Sequence, residues 1–414
     1  MPPRIHIIGA GLAGLSAAVR LARAGARVLV HEATAQAGGR CRSYYDQATG
    51  LTIDNGNHLI LSGNRAALDY AEAIGTRSRL VGADEAEFPF IDLADGRRWT
   101  LQLGDARLPW WVLDAGRRVP DTGALDYLRY APLLWAPAGR TVCEQVGCAG
   151  PLYQRLVQPL LVAALNIQPS EGSAKLAGVI LRETLAAGGG ACRPLIARDG
   201  LSGALIEPAI EFIRTRHGAL HFEHELRKLE LVDGRVAALD FGRDRIEMEP
   251  GDVVILAVPP WIASSLLGEL VTPREFRAIV NAHFRIEPPR NFPAMIGVLN
   301  GLVEWIFAFP GRLAVTISAG DRLLGTPREE LARMIWRDVA AVAAIADPLP
   351  AWQIVRERRA TFAATPHEDA RRPGPRTAWS NLFLAGDWTQ TGLPATIEGA
   401  IRSGYRAAQL AAAT

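Results

Sequence analysis

A glycine-spaced segment near the start of the chain, Gly9-Ala10-Gly11-Leu12-Ala13-Gly14, constrains the fold more than any other feature. It follows a strand-like apolar run from Arg4 to Ile8 and opens an apolar-periodic stretch from Leu12 to Arg23, the order strand, tight turn, helix. Gly9 permits the turn, Gly11 lets backbone approach a pyrophosphate, and Gly14 lets the helix lie close to the strand. The N–H groups at Leu12 and Ala13 then belong to the positive end of that helix. A second strand, Arg27 to His31, ends in Glu32 and Ala33, with the Glu32 carboxylate placed for ribose hydroxyls. This is an α/β, Rossmann-type nucleotide domain. The pattern alone suits NAD and FAD equally.

Gly38-Gly39-Arg40, soon after Glu32, shifts the balance toward FAD. Two glycines again bring backbone close to a ligand, and a guanidinium can fork onto phosphate, which a NAD site does not need. At the other end, residues 381–385 read as a buried strand running into Gly386-Asp387-Trp388, whose carboxylate suits the hydroxyls of a ribityl chain. A helix follows, with Pro394 pre-setting its first turn, and residues 396–410 are rich in Ala with Gly399, Ser403 and Gly404 for close packing. Both termini are thus expected to close one FAD site.

With 414 residues, 49% of them apolar, and a formal charge of +2, the chain can bury a large core and carries no basic run of the kind nucleic acid requires. Cys41, Cys143, Cys148 and Cys192 lack zinc or redox spacing and read as reduced thiols in a cytosolic setting. Met1-Pro2-Pro3 leads directly into the first strand, so no signal peptide is expected, and no apolar stretch has the length of a membrane span.

The division expected is two discontinuous domains: residues 1–75, 195–273 and 374–414 for FAD, residues 76–194 and 274–373 for substrate. Residues 219–239 alternate like a hairpin around Asp233-Gly234, and 252–258 form another apolar strand. Helices are expected at 160–165, 175–187 and 328–346, with strands at 294–299 and 312–318. His217, His221 and His224 sit in the alternating region, which sends His221 and His224 to opposite faces and disfavours a metal site. No metal is expected at the Cys143 and Cys148 pair either.

The blocks Gly38-Gly39-Arg40-Cys41-Arg42-Ser43, Asp54-Asn55-Gly56-Asn57-His58, Ala163-Ala164-Leu165-Asn166, Leu256-Ala257-Val258-Pro259-Pro260, Asn281-Ala282-His283-Phe284 and Leu384-Ala385-Gly386-Asp387-Trp388 run nearly end to end. Through them the chain resembles the flavoprotein superfamily of amine oxidases and carotenoid desaturases and, more narrowly, its squalene-associated branch. The resemblance implies a glutathione-reductase/amine-oxidase type of FAD domain with an α+β substrate domain. It implies that Gly11, Gly14, Glu32, Gly39 and Arg40 bind the ADP portion, that backbone near Leu226 meets the adenine, and that Asp387 holds the ribityl chain. Gly56, Asn57 and His58 should pass beside the isoalloxazine, and Thr396 should offer its N–H to the pyrimidine edge. The aromatic cage of amine oxidases is not evident, since no second aromatic follows Trp388 within a dozen residues.

The branch implies reductive removal of an allylic hydroxyl from a C30 isoprenoid, hydroxysqualene, to give squalene on the route to hopanoids, with an unidentified electron donor. Hydroxide leaves poorly, so an acid must protonate it. His58, Asn166 and His283 are the candidates to protonate or position the hydroxyl, each also readable as a structural residue. A hydrocarbon substrate implies an entrance at a membrane surface, on the inner face of the cytoplasmic membrane. Residues 107–140, with Trp110, Trp111, Tyr127, Tyr130 and Trp135 among Arg117, Arg118 and Arg129, suit that role or a place in the substrate domain's core. The rival readings are an isoprenoid desaturase and, outside enzymes, a prenyl-lipid escort protein, which has no need of a complete flavin cradle.

Overall fold

The opening elements, strand Arg4–Ile8, helix Leu12–Arg23 and strand Arg27–His31, stand where the glycine spacing puts them. The computed structural model describes residues 3–346 and 348–414. Met1 and Pro2, on which the reading of the N-terminus rests, lie outside the described residues. The first two strands join a five-stranded parallel sheet in the order Ala219–His221, Arg27–His31, Arg4–Ile8, Val253–Leu256, Leu382–Leu384. A single strand therefore separates the two ends of the polypeptide, with Ile5 opposite Val253 and Val254 opposite Leu382.

Alternation along these strands sorts side chains into two layers. Ile5, Ile7, Val253, Ile255 and Phe383 pack under the N-terminal helix and the C-terminal helix Ile397–Ala411, while Ile8, Val254, Leu256, Leu382 and Leu384 meet Leu229, Val236 and Leu239 of an antiparallel meander. Burying each such aliphatic side chain contributes about 1.5–3 kcal/mol. The hairpin expected over 219–239 is shorter than that. Residues Ala219–His221 instead form the edge strand of the parallel sheet, and only Lys228–Val232 and Arg235–Asp240 make the hairpin, turning at Asp233 and Gly234 with φ of 48° and 72°.

The histidines also differ from expectation. The strand stops at His221 and Glu223 takes φ 52°, which turns the chain so that the His224 ring lies 5.7 Å from that of His221 and 5.1 Å from that of His31, not on the opposite face. His6 Nδ1 lies 3.1 Å from His31 Nε2, and His31 Nδ1 lies 2.9 Å from His224 Nδ1. Burial, the first cause in each case, lowers His6 to about 4, His31 to about 2 and His224 below its ordinary value.

A seven-stranded sheet forms the second layer system, in the order Trp352–Phe362, Phe276–Arg285, Arg312–Ile317, Trp305–Phe309, Met295–Leu299, Ala86–Asp92, Arg98–Leu103. Helix Arg328–Ala343 covers one face through Leu331, Ile335 and Val339. The helices expected at 160–165 and 175–187 are Gln158–Leu165 and Ala174–Glu183, the second ending where Thr184 leaves helical geometry. One expectation fails outright: Cys143 and Cys148 form a disulfide, because the single-turn helix Val142–Val146 and Gly147, at φ 70°, double the chain back and bring the two Cα atoms to 5.0 Å. Cys41 and Cys192 are free and buried. Among the described residues, no helix is long and apolar enough to cross a membrane.

Candidate active site

Two glycine turns face each other at the C-terminal edge of the parallel sheet. Gly11 bridges to Gly38, and Gly38 donates its N–H to Ala10 O at 2.8 Å. Gly38 does so at φ 106°, a backbone angle that L side chains rarely adopt. A Cβ added at Gly11 would meet nothing within 4 Å, and one at Gly39 only Gly11 Cα at 3.7 Å. The helix that starts at Leu12 has no acidic residue in its first turn and no side-chain cap, so the N–H groups of Leu12, Ala13 and Gly14 look into this open groove. Glu32, at the end of its strand, accepts the N–H of Ala10 at 2.9 Å and that of Thr34 at 2.9 Å. Ala33 beside it is exposed. The chain carrying Leu226 runs alongside, with His224 N–H donating to Glu32 O at 2.8 Å.

Arg40 connects the ends of the molecule. Its Nη2 donates to both oxygens of Asp387 at 2.7 Å, and its Nη1 to Ala360 O. The guanidinium side chain is 42% accessible, although protein surrounds it and burial is the first influence on its ionisation. It therefore lines an internal cleft rather than the outer surface. Gly386 N–H donates to Ser403 Oγ at 2.8 Å, which locks the turn carrying Asp387 onto the C-terminal helix, and Thr396 caps that helix through Gly399 N–H at 3.0 Å. Trp388 is buried with its indole N–H on Val258 O at 2.9 Å, a structural placement that leaves it out of any aromatic cage.

Farther along the cleft, Gly56, Asn57 and His58 cross the open face of the seven-stranded sheet. A Cβ at Gly56 would lie 3.2 Å from the Asn281 amide. Asn57 Nδ2 donates to Val315 O at 3.1 Å and Thr316 Oγ1 at 3.2 Å, and Thr316 donates to Asn281 Oδ1 at 2.8 Å. Asn281 and Thr316 are residues that motif reading did not single out as site residues. Their signal was present for Asn281 in the block at 281–284, but the partner strand is remote in sequence.

The three residues expected at the reacting hydroxyl separate. His58 is part-exposed within the cleft, and burial first, with Arg40 adding to it, lowers its imidazole to about 4, against Asp54. A neutral imidazole can position a hydroxyl but holds no spare cationic proton. His283 is fully buried, its Nε2 3.1 Å from Asp54 O, and burial lowers it to about 3. It props the 54–58 segment from behind. Asn166, at φ 54°, caps the Gln158–Leu165 helix, donates to Thr361 Oγ1 at 2.9 Å and accepts from Ala319 N–H at 2.7 Å. Its amide is engaged with protein on both sides, so it pins three segments together.

A groove with free helix N–H groups, a carboxylate at the end of the second strand, a guanidinium in an internal cleft and a carboxylate brought from the far terminus fit the parts of FAD in order. Residues 12–412 match the model of the flavin containing amine oxidoreductase family. The chain belongs to that family, it is an oxidoreductase, and FAD is its cofactor. Among relatives, it is 61% identical to a hydroxysqualene dehydroxylase of Rhodopseudomonas palustris over 99% of this chain and 98% of that protein. It is 47% identical to the hydroxysqualene dehydroxylase of Zymomonas mobilis over 98% of each. The cyclohexylamine oxidase of Brevibacterium oxydans shares the fold, with a TM-score of 0.70 at 18% identity over 100% of this chain and 99% of that one.

Proposed function

We propose that this chain reduces hydroxysqualene to squalene, replacing an allylic hydroxyl by hydrogen. The observation that carries the reading is end-to-end identity of 61% to a protein of that name, in a chain whose flavin cradle is complete. Reduced flavin, when bound, supplies hydride. The chain's own residues do the rest: Gly11, Gly14 and the helix N-terminus hold phosphate, Glu32 the ribose, and Asp387, fixed in place by its ion pair with Arg40, the ribityl hydroxyls. Asn57 and His58 form the polar wall beside the ring, with Asn281 and Thr316 behind them. Oxidation of a primary amine is disfavoured by the buried, hydrogen-bonded Trp388. The desaturase reading rests on weaker likeness, 25% identity to a phytoene desaturase of Glycine max that this chain covers to 79%. Photoreduced protein incubated without oxygen with hydroxysqualene should yield squalene stoichiometric with flavin reoxidised. Flavin that stays reduced, with no squalene formed, defeats the assignment.

We further infer a membrane-facing entrance at residues 107–140. Leu108, Trp110, Leu113, Leu125, Leu128 and Trp135 are each more than 60% exposed, whereas Trp111, Tyr130 and Leu133 are buried and fasten the segment to the substrate domain. Exposed Arg107, Arg117, Arg129 and Arg140 stand among them, a pairing of apolar depth with cationic rim that suits an anionic bilayer surface. Trp110→Ser with Trp135→Ser should weaken binding to phosphatidylglycerol liposomes by about thirtyfold or more, since each removes roughly 1 kcal/mol or more of insertion. Equal flotation of variant and parent would count against insertion, and Trp111 is to be left alone because its loss would disturb the core.

A further inference from the structure

Reductive dehydroxylation consumes two electrons per turnover, and the one G-x-G-x-x-G turn of the chain, Gly9 to Gly14, is taken by FAD. A reductant therefore needs another foothold near the flavin. A cavity of about 470 Å³, lined by Arg42, Tyr44, Asn55, Arg328, Arg356 and Glu357, offers one. It lies beside strand Trp352–Phe362, an edge strand of the seven-stranded sheet that pairs only with Phe276–Arg285. The FAD groove is close on two sides. Asn55 directly precedes Gly56 and Arg42 follows Arg40 by two residues, while Ala360 O of the same edge strand accepts from Arg40 Nη1.

The lining carries three guanidinium charges against a single carboxylate. Among the described residues, none of the three is paired with an acid, and each is bonded to neutral oxygens alone. Arg42 Nη1 donates to Gly39 O at 2.9 Å, Arg328 Nη2 to the side-chain oxygen of Gln353, and Arg356 to Leu324 O at 3.2 Å and to Thr326 O. Arg356 Nε is buried without a partner. Burial first, then the charges of Arg328 and Arg358, lower the pKa of Arg356, and burial raises the Tyr44 phenol while Arg42 and Arg328 both pull against it. The cations thus converge. Arg328 moreover opens helix Arg328–Ala343, the end at which the dipole disfavours positive charge. Glu357 turns to the flavin side, where it accepts from Asn55 Nδ2 at 3.2 Å and its charge acts on Arg40. An anion from outside the chain is what would complete such a cluster.

Three guanidiniums from separate segments suit a ligand with several phosphate oxygens along its length, and the Asn55 amide beside the Glu357 carboxylate offers the donor and acceptor that a carboxamide needs. Sheet order sets the cavity apart from the membrane-facing segment. Six strand intervals, roughly 29 Å, separate Trp352–Phe362 from Arg98–Leu103, the strand that leads into residues 107–140. A water-soluble ligand fits that position better than a lipid headgroup. We propose that this cavity binds a reduced nicotinamide dinucleotide, the source of the electrons that the reaction consumes. One hydroxysqualene, one reduced dinucleotide and one proton then give squalene, the oxidised dinucleotide and water. The dinucleotide loses a hydride, the C–O bond breaks and a C–H bond forms.

The need for a reductant rests on the dehydroxylase reading, but the test does not, because it omits hydroxysqualene. Without oxygen, NADPH or NADH should bleach the flavin of the FAD-loaded parent at a rate that saturates with nucleotide. Arg328→Glu should raise the half-saturating concentration about tenfold or more, and Arg328→Lys should stay within about threefold of the parent. Glutamate suits the first turn of a helix, so Arg328→Glu should fold and hold FAD, which its absorbance checks. Should it lose FAD, Arg328→Gln takes its place in the same titration. A parent that neither nucleotide bleaches overturns the proposal, as does a charge-removing variant with parental half-saturation. Competition by phosphatidylglycerol vesicles would assign the cavity to a lipid headgroup and overturn it as well. A parent that is bleached but makes no squalene removes the dehydroxylase reading and leaves the cavity its ligand, whereas a photoreduced parent that makes squalene but is never bleached does the reverse.

Discussion

Gly14→Val yields protein purified without flavin and destabilised by about 3 kcal/mol or more. A Cβ at position 14 would lie 1.9 Å from Gly9 O and 3.3 Å from the Ala257 side chain. Gly9 cannot yield, because its N–H is committed to His31 O at 2.7 Å and its own φ is 105°. Relief therefore requires the first helix to lift from the sheet, which opens the layer of Leu15, Ala18 and Val19 against the C-terminal helix. Gly11→Ala supplies the contrast: it meets no protein atom within 4 Å and sits at φ −75°, so its apoprotein should melt as the parent does while FAD binds more weakly. Absorbance at 450 nm after purification and thermal unfolding of both variants test the pair. A yellow Gly14→Val with parental melting would show that the close approach is not what fixes the turn.

The nucleotide half of the molecule was legible because its determinants are local. Gly9, Gly11, Gly14, Glu32 and Arg40 act within one strand-turn-helix-strand run, and period alone gave the bounds of the opening elements. The closure of the site by Asp387 was legible for a different reason, a second short motif whose carboxylate had no other evident task. What sequence could not supply is pairing between distant segments. The strand Ala219–His221 was misread into a hairpin because an edge strand of a parallel sheet, short and half-buried, alternates just as a hairpin arm does. The disulfide was missed because C-x4-C spacing says nothing of the positive φ at Gly147 that closes the loop.

Arg372 extends that lesson to the stability of the site, beside the expected boundary between residues 274–373 and 374–414. The residue is 2% exposed, its Nη2 reaches Asp387 O at 3.0 Å, Thr391 Oγ1 at 2.8 Å and Thr389 O, and its Nη1 reaches Asp369 at 3.0 Å. The guanidinium also lies 4.8 Å from the Phe362 ring centre. One cation thus holds the backbone on either side of the Asp387 carboxylate, and Arg40 then fixes that carboxylate from across the cleft. Arg372→Met fills the volume but leaves the carbonyls at 387 and 389 and the buried Asp369 short of a donor, which costs about 3–5 kcal/mol. Asp387 then loses its fixed position, and FAD should dissociate during gel filtration. Lys175→Ala removes the other cation on Asp369, at 3.2 Å but half-exposed, and should cost under about 1 kcal/mol with flavin retained. Denaturant unfolding of the three proteins, followed by flavin and by tryptophan fluorescence, measures both effects. An Arg372→Met protein that keeps its flavin and unfolds within about 1 kcal/mol of the parent would mean that the 386–391 turn is held by the C-terminal helix alone.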